Sequence, residues 1–324
     1  MSKKKIGEFE IDIDKALSKI NDICAEKVLL QLPDGLKRSS GKIIEILEEN
    51  DLEVKLWGST CYGACDLPDH IGDADLLIHV GHSEIPNLNV GYPVIYLECR
   101  SKIWNPPPEE FFEKLKGKVA LYSSIQHLDH MYKMEELLEE KGFETVIGEG
   151  DQRIKYPGQV LGCNYSTKVP DADTQLYIGT GKFHPIGLSL SLERDVLIYN
   201  PVTGEFTTTG DKRDRLLRKR FAIINAAEDA QRIGVIISHK KGQRREEILD
   251  EFKGDDYDII VAEFDEVVPQ LVDDFQWDCA VNTACPRIAL DDNKIFRTRI
   301  LTPLEFLISK KKKDWKDWEM DEIH

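Results

Sequence analysis

The chain has 324 residues, 41% of them hydrophobic and 31% charged, with a formal net charge of −16 and a pI near 5.0. That length asks for two or three domains rather than one small core, and the acidic balance excludes a protein that grips bare nucleic acid on a neutralising basic surface. No apolar run approaches the roughly 20 residues that span a bilayer, and the opening Met1-Ser2-Lys3-Lys4-Lys5 lacks the apolar segment of a secretory signal, so a cytoplasmic protein without membrane contact is expected.

In chain order, the apolar run at 28–32 predicts a first strand, followed by the turn Pro33-Asp34-Gly35, a helix over 40–50 and a strand at 54–57. Further strands are predicted at 76–80 and 94–97. The pattern restarts with a strand at 119–122, a helix at 131–141 and a strand at 145–147, then strands at 176–178 and 196–199. A third round has a strand at 234–237, a helix at 245–252 and a strand at 259–261, with a helix at 267–275 and a strand at 279–282 after it. Short apolar runs alternating with 3.6-period helices indicate parallel sheets covered on both faces. The expected fold class is therefore α/β: three related parallel-sheet α/β domains, 1–107, 108–215 and 216–324, around a pseudo-threefold axis. A two-domain division is the alternative. The short basic stretches at 212–220 and 310–313 read as solvated helix faces or a tail.

Seven cysteines, an odd number without an export signal, argue against a disulfide scaffold. Three of them sit in Gly- or Pro-flanked loops after strand-like runs, each about a domain's length from the next. They are Cys65 in Cys61-Tyr62-Gly63-Ala64-Cys65, Cys163 in Leu161-Gly162-Cys163-Asn164, and Cys285 in Ala284-Cys285-Pro286-Arg287. A local zinc finger needs its thiolates within a few residues of one another. Thiols this far apart meet only if the fold brings three loops together. Three thiolates at one point can hold three corners of an iron–sulfur cluster and leave the fourth iron open. The bland reading, a small buried hydrophobe, is accepted for Cys24, Cys99 and Cys279 from their helix-like or strand-like contexts. Cys61 and Cys65 have the opening spacing of a radical S-adenosylmethionine (SAM) motif, but the third cysteine which that motif requires is replaced by Pro68.

In open parallel sheets ligands gather at the carboxyl ends of strands, where the loops 31–35 and 238–243 also fall. His82, His184 and His239 end strand-like runs in the same region. A lone histidine is more often structural, and none of the three is assigned as ligand or general base.

Together with Gln31-Leu32-Pro33-Asp34-Gly35-Leu36, His79-Val80-Gly81-His82-Ser83 and Gly179-Thr180-Gly181-Lys182-Phe183-His184-Pro185, the three cysteine segments resemble the motifs of the diphthamide synthase family. The likeness runs over nearly the full chain. It implies a homodimer of three-domain chains and a 4Fe–4S cluster held by Cys65, Cys163 and Cys285, with Cys61 as the alternative first ligand. It further implies transfer of the 3-amino-3-carboxypropyl group of SAM, as a radical, to C2 of a histidine imidazole on translation elongation factor 2. Methylthioadenosine is left behind, and a one-electron donor is required. For the methionyl carboxylate Arg287 is the candidate partner, competing with an ion pair to Asp291 or Asp292. Gln31, Pro33, Asp34, Gly242 and Gln243 are further candidate SAM contacts. Two alternatives remain: a quinolinate synthase-like 4Fe–4S dehydratase, and a non-catalytic partner subunit, which the presence of all three motif cysteines disfavours.

Overall fold

The computed structural model describes residues 4–6, 8–254 and 256–324. Its contacts group into two compact units. The first comprises Met1–Val160, Ser166–Thr180 and Leu197–Thr207, and the second Leu161–Tyr165, Gly181–Val196 and Thr208–His324. No helix among the described residues is long and apolar enough to cross a membrane.

The first unit contains one parallel sheet and one mainly parallel sheet, whose edge strand Phe206–Thr208 folds back on Leu197–Tyr199 as a hairpin. In one, the strands run in the order Glu53–Leu56, Lys27–Gln31, Leu76–Gly81 and Val94–Glu98, all parallel. The central strand Leu76–Gly81 is buried at every position, which is why its sequence shows no alternation and, apart from His79, no polar side chain. Val28, Leu30, Ile78 and Val80 pack with Ile13 and Ile20 of helix Ile13–Asp22 and with Ile43 and Leu47 of helix Ser40–Glu48. The second sheet is ordered Phe206–Thr208, Leu197–Tyr199, Thr174–Ile178, Val119–Ser123 and Thr145–Val146, and helix Leu128–Glu140 packs Met131, Met134 and Leu138 into its core. A small antiparallel sheet of Lys4–Ile6, Phe9–Ile11 and Arg100–Ser101 was not foreseen, because runs of two or three residues carry no readable period.

The second unit is built on one parallel sheet, ordered Asp258–Phe264, Arg232–Ser238, Cys279–Asn282 and Arg299–Leu301. Helix Pro303–Ser309 begins with Pro303 in its first turn and a reciprocal cap between Thr302 and Glu305. The α/β class with parallel sheets is as the sequence indicates.

Several expectations need correction. The helix expected at 245–252 is only a 3-10 turn, Leu249–Phe252, because the Arg245 side chain is drawn into tertiary hydrogen bonds described below. The helix expected at 267–275 shrinks to Pro269–Asp273, and the chain turns soon after it through Gln276 at φ +53°. The apolar pair 160–161 before Cys163, strand-like in sequence, is not a sheet strand; Leu161 makes only an isolated bridge to Asn164. The basic run 212–220 does lie on a helix, Gly210–Ala226, which passes uninterrupted through residue 215. Arg220 on it is not solvated. It is 0% exposed and paired with Glu305, also 0% exposed.

Candidate functional site

In the second unit, strand Cys279–Asn282 delivers the chain to the Cys285 loop. The Thr283 hydroxyl donates to the Ile236 carbonyl at 2.8 Å. The Asn282 amide donates to the Cys285 carbonyl at 2.9 Å, while its oxygen accepts from the Ala284 N–H at 3.3 Å. Pro286 starts the short helix Pro286–Leu290 directly after Cys285, which keeps an extended backbone. The loop is therefore shaped by backbone carbonyls and one wrapped side chain, leaving the cysteine half-exposed at its tip.

Arg245 ties this loop to the end of the chain. Its buried guanidinium donates from Nε to the Thr283 carbonyl at 2.7 Å and from Nη2 to the Ala284 carbonyl at 3.1 Å, and pairs with Asp321 at 2.8 and 2.9 Å. Two residues on, the Ile323 N–H donates to the Cys163 carbonyl at 2.7 Å, and the Asn164 amide donates to the Ile323 carbonyl at 2.9 Å. The Cys163 loop is closed on itself between Leu161 and Asn164. Residues 321–323 thus link the loops of Cys163 and Cys285. The pair is electrostatically uneven. Burial raises the Asp321 carboxyl above its usual range despite the nearby guanidinium, whereas Arg245 stays charged because burial, the largest single influence on it, is outweighed by Asp321 together with Glu247 and Cys163.

The two loops also meet at Gly162 and Arg287. A Cβ on Gly162 would lie 2.6 Å from Cε1 of Phe183 and 3.5 Å from Cδ of Arg287, so only glycine fits. Arg287 lies over the Phe183 ring at 4.3 Å and pairs with Asp291 at 3.0 Å, which realises the competing partner expected from sequence. Its Nε is nonetheless buried without a hydrogen-bond partner among the described residues. Gly242 and Gln243 are buried in the turn after strand Arg232–Ser238, at the carboxyl edge of the same sheet that carries Cys285.

In the first unit, Gln31 ends its strand fully buried. Its Nε2 donates to the Asp66 carbonyl at 2.8 Å, and its Oε1 faces Nδ1 of His79 at 2.7 Å. Asp66 in turn accepts from the Tyr62 N–H at 3.0 Å and donates its own N–H to the Gly63 carbonyl at 3.0 Å. Gln31 therefore anchors the Cys65 loop to the sheet, and protein groups already engage both ends of its amide. Tyr96 lies near enough to Cys65 that the cysteine adds to the effect of burial in raising the phenol above its usual range. Pro33 packs on Gly81, whose φ is +97° and where a Cβ would come within 2.9 Å of the proline ring. Asp34 is exposed and paired with Lys37 at 2.7 Å.

His79 and His82 form a pair that sequence reasoning did not single out as a unit. Nε2 of His79 lies 2.9 Å from Nδ1 of His82, and one ligand-capable atom from each lies within 4.8 Å of the other and of one from Cys61. Burial holds His79 well below the ordinary histidine range, the neighbouring His82 adding to this, and burial lowers His82 to about 4. Both rings are neutral at physiological pH. The available signal was the spacing His79-Val80-Gly81-His82, which spans the glycine turn at the strand's end and lets the two rings meet.

The remaining candidates separate cleanly. Cys99 and Cys279 are buried, and burial raises both thiols to about 12, so they stay protonated and inert. Cys24 corrects the expectation: it is exposed, at φ +52° just past helix Ile13–Asp22, with its N–H on the Asn21 carbonyl. His239 is exposed between Asp265 and Glu263, and its pKa is raised first by the hydrogen bond to Asp265 and then by that to Glu263. His184 stacks edge-on against Phe183.

Residues 32–319 match the model of the diphthamide synthesis protein family. The chain is 37% identical to the 2-(3-amino-3-carboxypropyl)histidine synthase of Pyrococcus horikoshii, over 97% of this chain and 94% of that one. It is 30% identical to the enzyme of the same name from Methanocaldococcus jannaschii, over 94% and 91%. Among solved structures it resembles the crystal structure of Dph2 from Pyrococcus horikoshii with a 4Fe–4S cluster, with a TM-score of 0.86 and 35% identity, over 99% of this chain and 95% of that one.

Proposed function

The chain belongs to the diphthamide synthesis family, and on that premise we propose that it carries out the first step of diphthamide formation. The reaction transfers the 3-amino-3-carboxypropyl group of SAM to imidazole C2 of a histidine on translation elongation factor 2. Cys65, Cys163 and Cys285 are the thiolates that hold a 4Fe–4S cluster in this reading. The donor set fits. All three lie in loops rather than inside strands, Cys65 and Cys285 are half-exposed, and the two inert thiols lie within or beside the sheets. When bound, a cluster with one open iron supplies the electron that cleaves the sulfonium.

The observation that carries the proposal is the closure of the Cys163 and Cys285 loops onto one another by Arg245 and residues 321–323. Two of the three proposed ligands thus have fixed backbones before any metal arrives, which lowers the ordering cost of binding. The role of Arg287 follows from its environment. Stacked on Phe183 and paired with Asp291, it retains a buried Nε donor, which suits the methionyl carboxylate. Pro33, Asp34, Gly242 and Gln243 remain proposed SAM contacts at the strand ends. Gln31 acts in this reading by holding the Cys65 loop through the Asp66 carbonyl. The three mainly parallel sheets are proposed as the cores of three related domains, 1–107, 108–215 and 216–324. The working form is proposed to be a cytoplasmic homodimer served by an external one-electron donor.

The test is anaerobic reconstitution with iron and sulfide, followed by reduction in the presence of SAM and chromatography of the nucleoside product. Methylthioadenosine is expected, and Cys163→Ala is expected to abolish it. Release of 5′-deoxyadenosine, or no cleavage by a protein with full iron, would refute the reading.

A further inference from the structure

The Cys61, His79 and His82 cluster has no role in the reaction just proposed, yet it is organised as metal sites are. Cys61 and His79 are buried and His82 is half-buried. Gln31 fixes the tautomer. Its Nε2 is committed to the Asp66 carbonyl, so its oxygen faces His79 and Nδ1 of His79 carries the proton. Nε2 of His79 is left as a lone pair, directed at His82. An imidazole that gives one N–H to a carbonyl oxygen while the other nitrogen points into a ligand cluster is the usual outer support of a metal-bound histidine.

A thiol and two imidazoles form a borderline ligand set, suited to zinc rather than to magnesium or calcium. The distances are close to what zinc needs. With Zn–N near 2.0 Å and Zn–S near 2.3 Å, tetrahedral ligands put nitrogen and nitrogen about 3.3 Å apart and nitrogen and sulfur about 3.5 Å apart. The two ring nitrogens stand at 2.9 Å and need to part by about 0.4 Å. The three donor atoms already lie within 4.8 Å of one another, so each needs to move by about 1 Å at most.

We propose that Cys61 Sγ, His79 Nε2 and His82 Nδ1 bind one zinc-class divalent ion, with water in the fourth position. Binding releases the Cys61 thiol proton to solvent and shifts the His82 proton from Nδ1 to Nε2, so no oxidant or reductant is involved. Because Cys61 is then spent on zinc, Cys65 is the cysteine left to the cluster.

The experiment uses the anaerobically reconstituted protein incubated with one equivalent of zinc and desalted. Elemental analysis and zinc K-edge X-ray absorption are then measured. About one zinc per chain is expected, in a shell of one sulfur and two nitrogens plus a light oxygen. Cys61→Ser and His82→Asn should each weaken zinc binding by about 100-fold or more while iron content and far-ultraviolet circular dichroism stay unchanged. That unchanged iron content separates the site from the cluster and confirms that the variants fold. The proposal is overturned by a sulfur-only zinc shell, which would place zinc on the cluster thiolates. Zinc retention indifferent to both substitutions would also overturn it, as would loss of iron along with zinc in Cys61→Ser.

Discussion

Replacing Arg245 with methionine keeps most of the aliphatic stem but removes the polar contacts by which Arg245 joins the Cys285 loop to residues 321–322. Two carbonyls, those of Thr283 and Ala284, lose donors, and Asp321 loses its counter-ion. The pair is about nine-tenths buried, with side-chain exposures of 11% and 10%, so solvent does little to rescue the orphaned carboxylate. Removing one partner of such a pair costs about 3–5 kcal/mol. The loss depends on pH with a definite sign. Asp321 already titrates above its usual range through burial, and without Arg245 it moves further up. A carboxyl whose folded-state pKa exceeds its unfolded value binds more protons when folded, so stability falls as pH rises from the unfolded to the folded pKa. The deficit of Arg245→Met should therefore be larger at pH 7.5 than at pH 5.

Urea unfolding followed by circular dichroism at both pH values measures it. The double variant Arg245→Met/Asp321→Asn should recover about 2 kcal/mol or more, since it removes the unpaired charge. Iron retention should drop in the single variant, because the two freed carbonyls immediately precede Cys285. The reasoning fails if Arg245→Met lies within about 0.5 kcal/mol of the parent, or if the double variant is no more stable than the single one.

Glu305→Gln should destabilise the second unit by about 3–5 kcal/mol in the same unfolding assay, because it leaves the fully buried Arg220 guanidinium without a counter-charge. Gly81→Ala should cost about 1–3 kcal/mol, since φ is +97° and the new methyl group meets Pro33 at 2.9 Å; thermal unfolding of the variant reads this directly. In the folded protein, maleimide should label Cys24 promptly and leave Cys99 and Cys279 untouched, as mass spectrometry of peptides would show. Cys24 is exposed, whereas burial keeps the other two thiols protonated.

Reading the strands from sequence succeeded where burial acts on every residue of a short segment. Leu76–Gly81 and Cys279–Asn282 are buried throughout and, His79 and Asn282 apart, carry no polar side chain because both faces of a parallel sheet are covered, and that leaves a local signature. The Cys285 loop was legible for a similar reason, since a proline beside a cysteine after such a run marks a turn at a strand's end, whereas the run before Cys163 is not a sheet strand. The same local logic failed at 245–252, where a helical-looking spacing of charges concealed an arginine directed at carbonyls and a carboxylate elsewhere in the chain.

The sequence by itself determined the α/β class, the places of most strands and that Cys65, Cys163 and Cys285 stand in loops, because each depends on residues within a few positions of one another. Tertiary structure alone decided that Arg220 is buried while Lys219 and Phe221 beside it are not, that Cys24 faces solvent, and that Gln31 is taken up by Asp66 and His79. A charged or polar side chain looks the same in sequence whether water or a distant partner satisfies it. The partners of Arg245 at Thr283 and Asp321 lie 38 and 76 residues away, and no local periodicity encodes a contact over that separation.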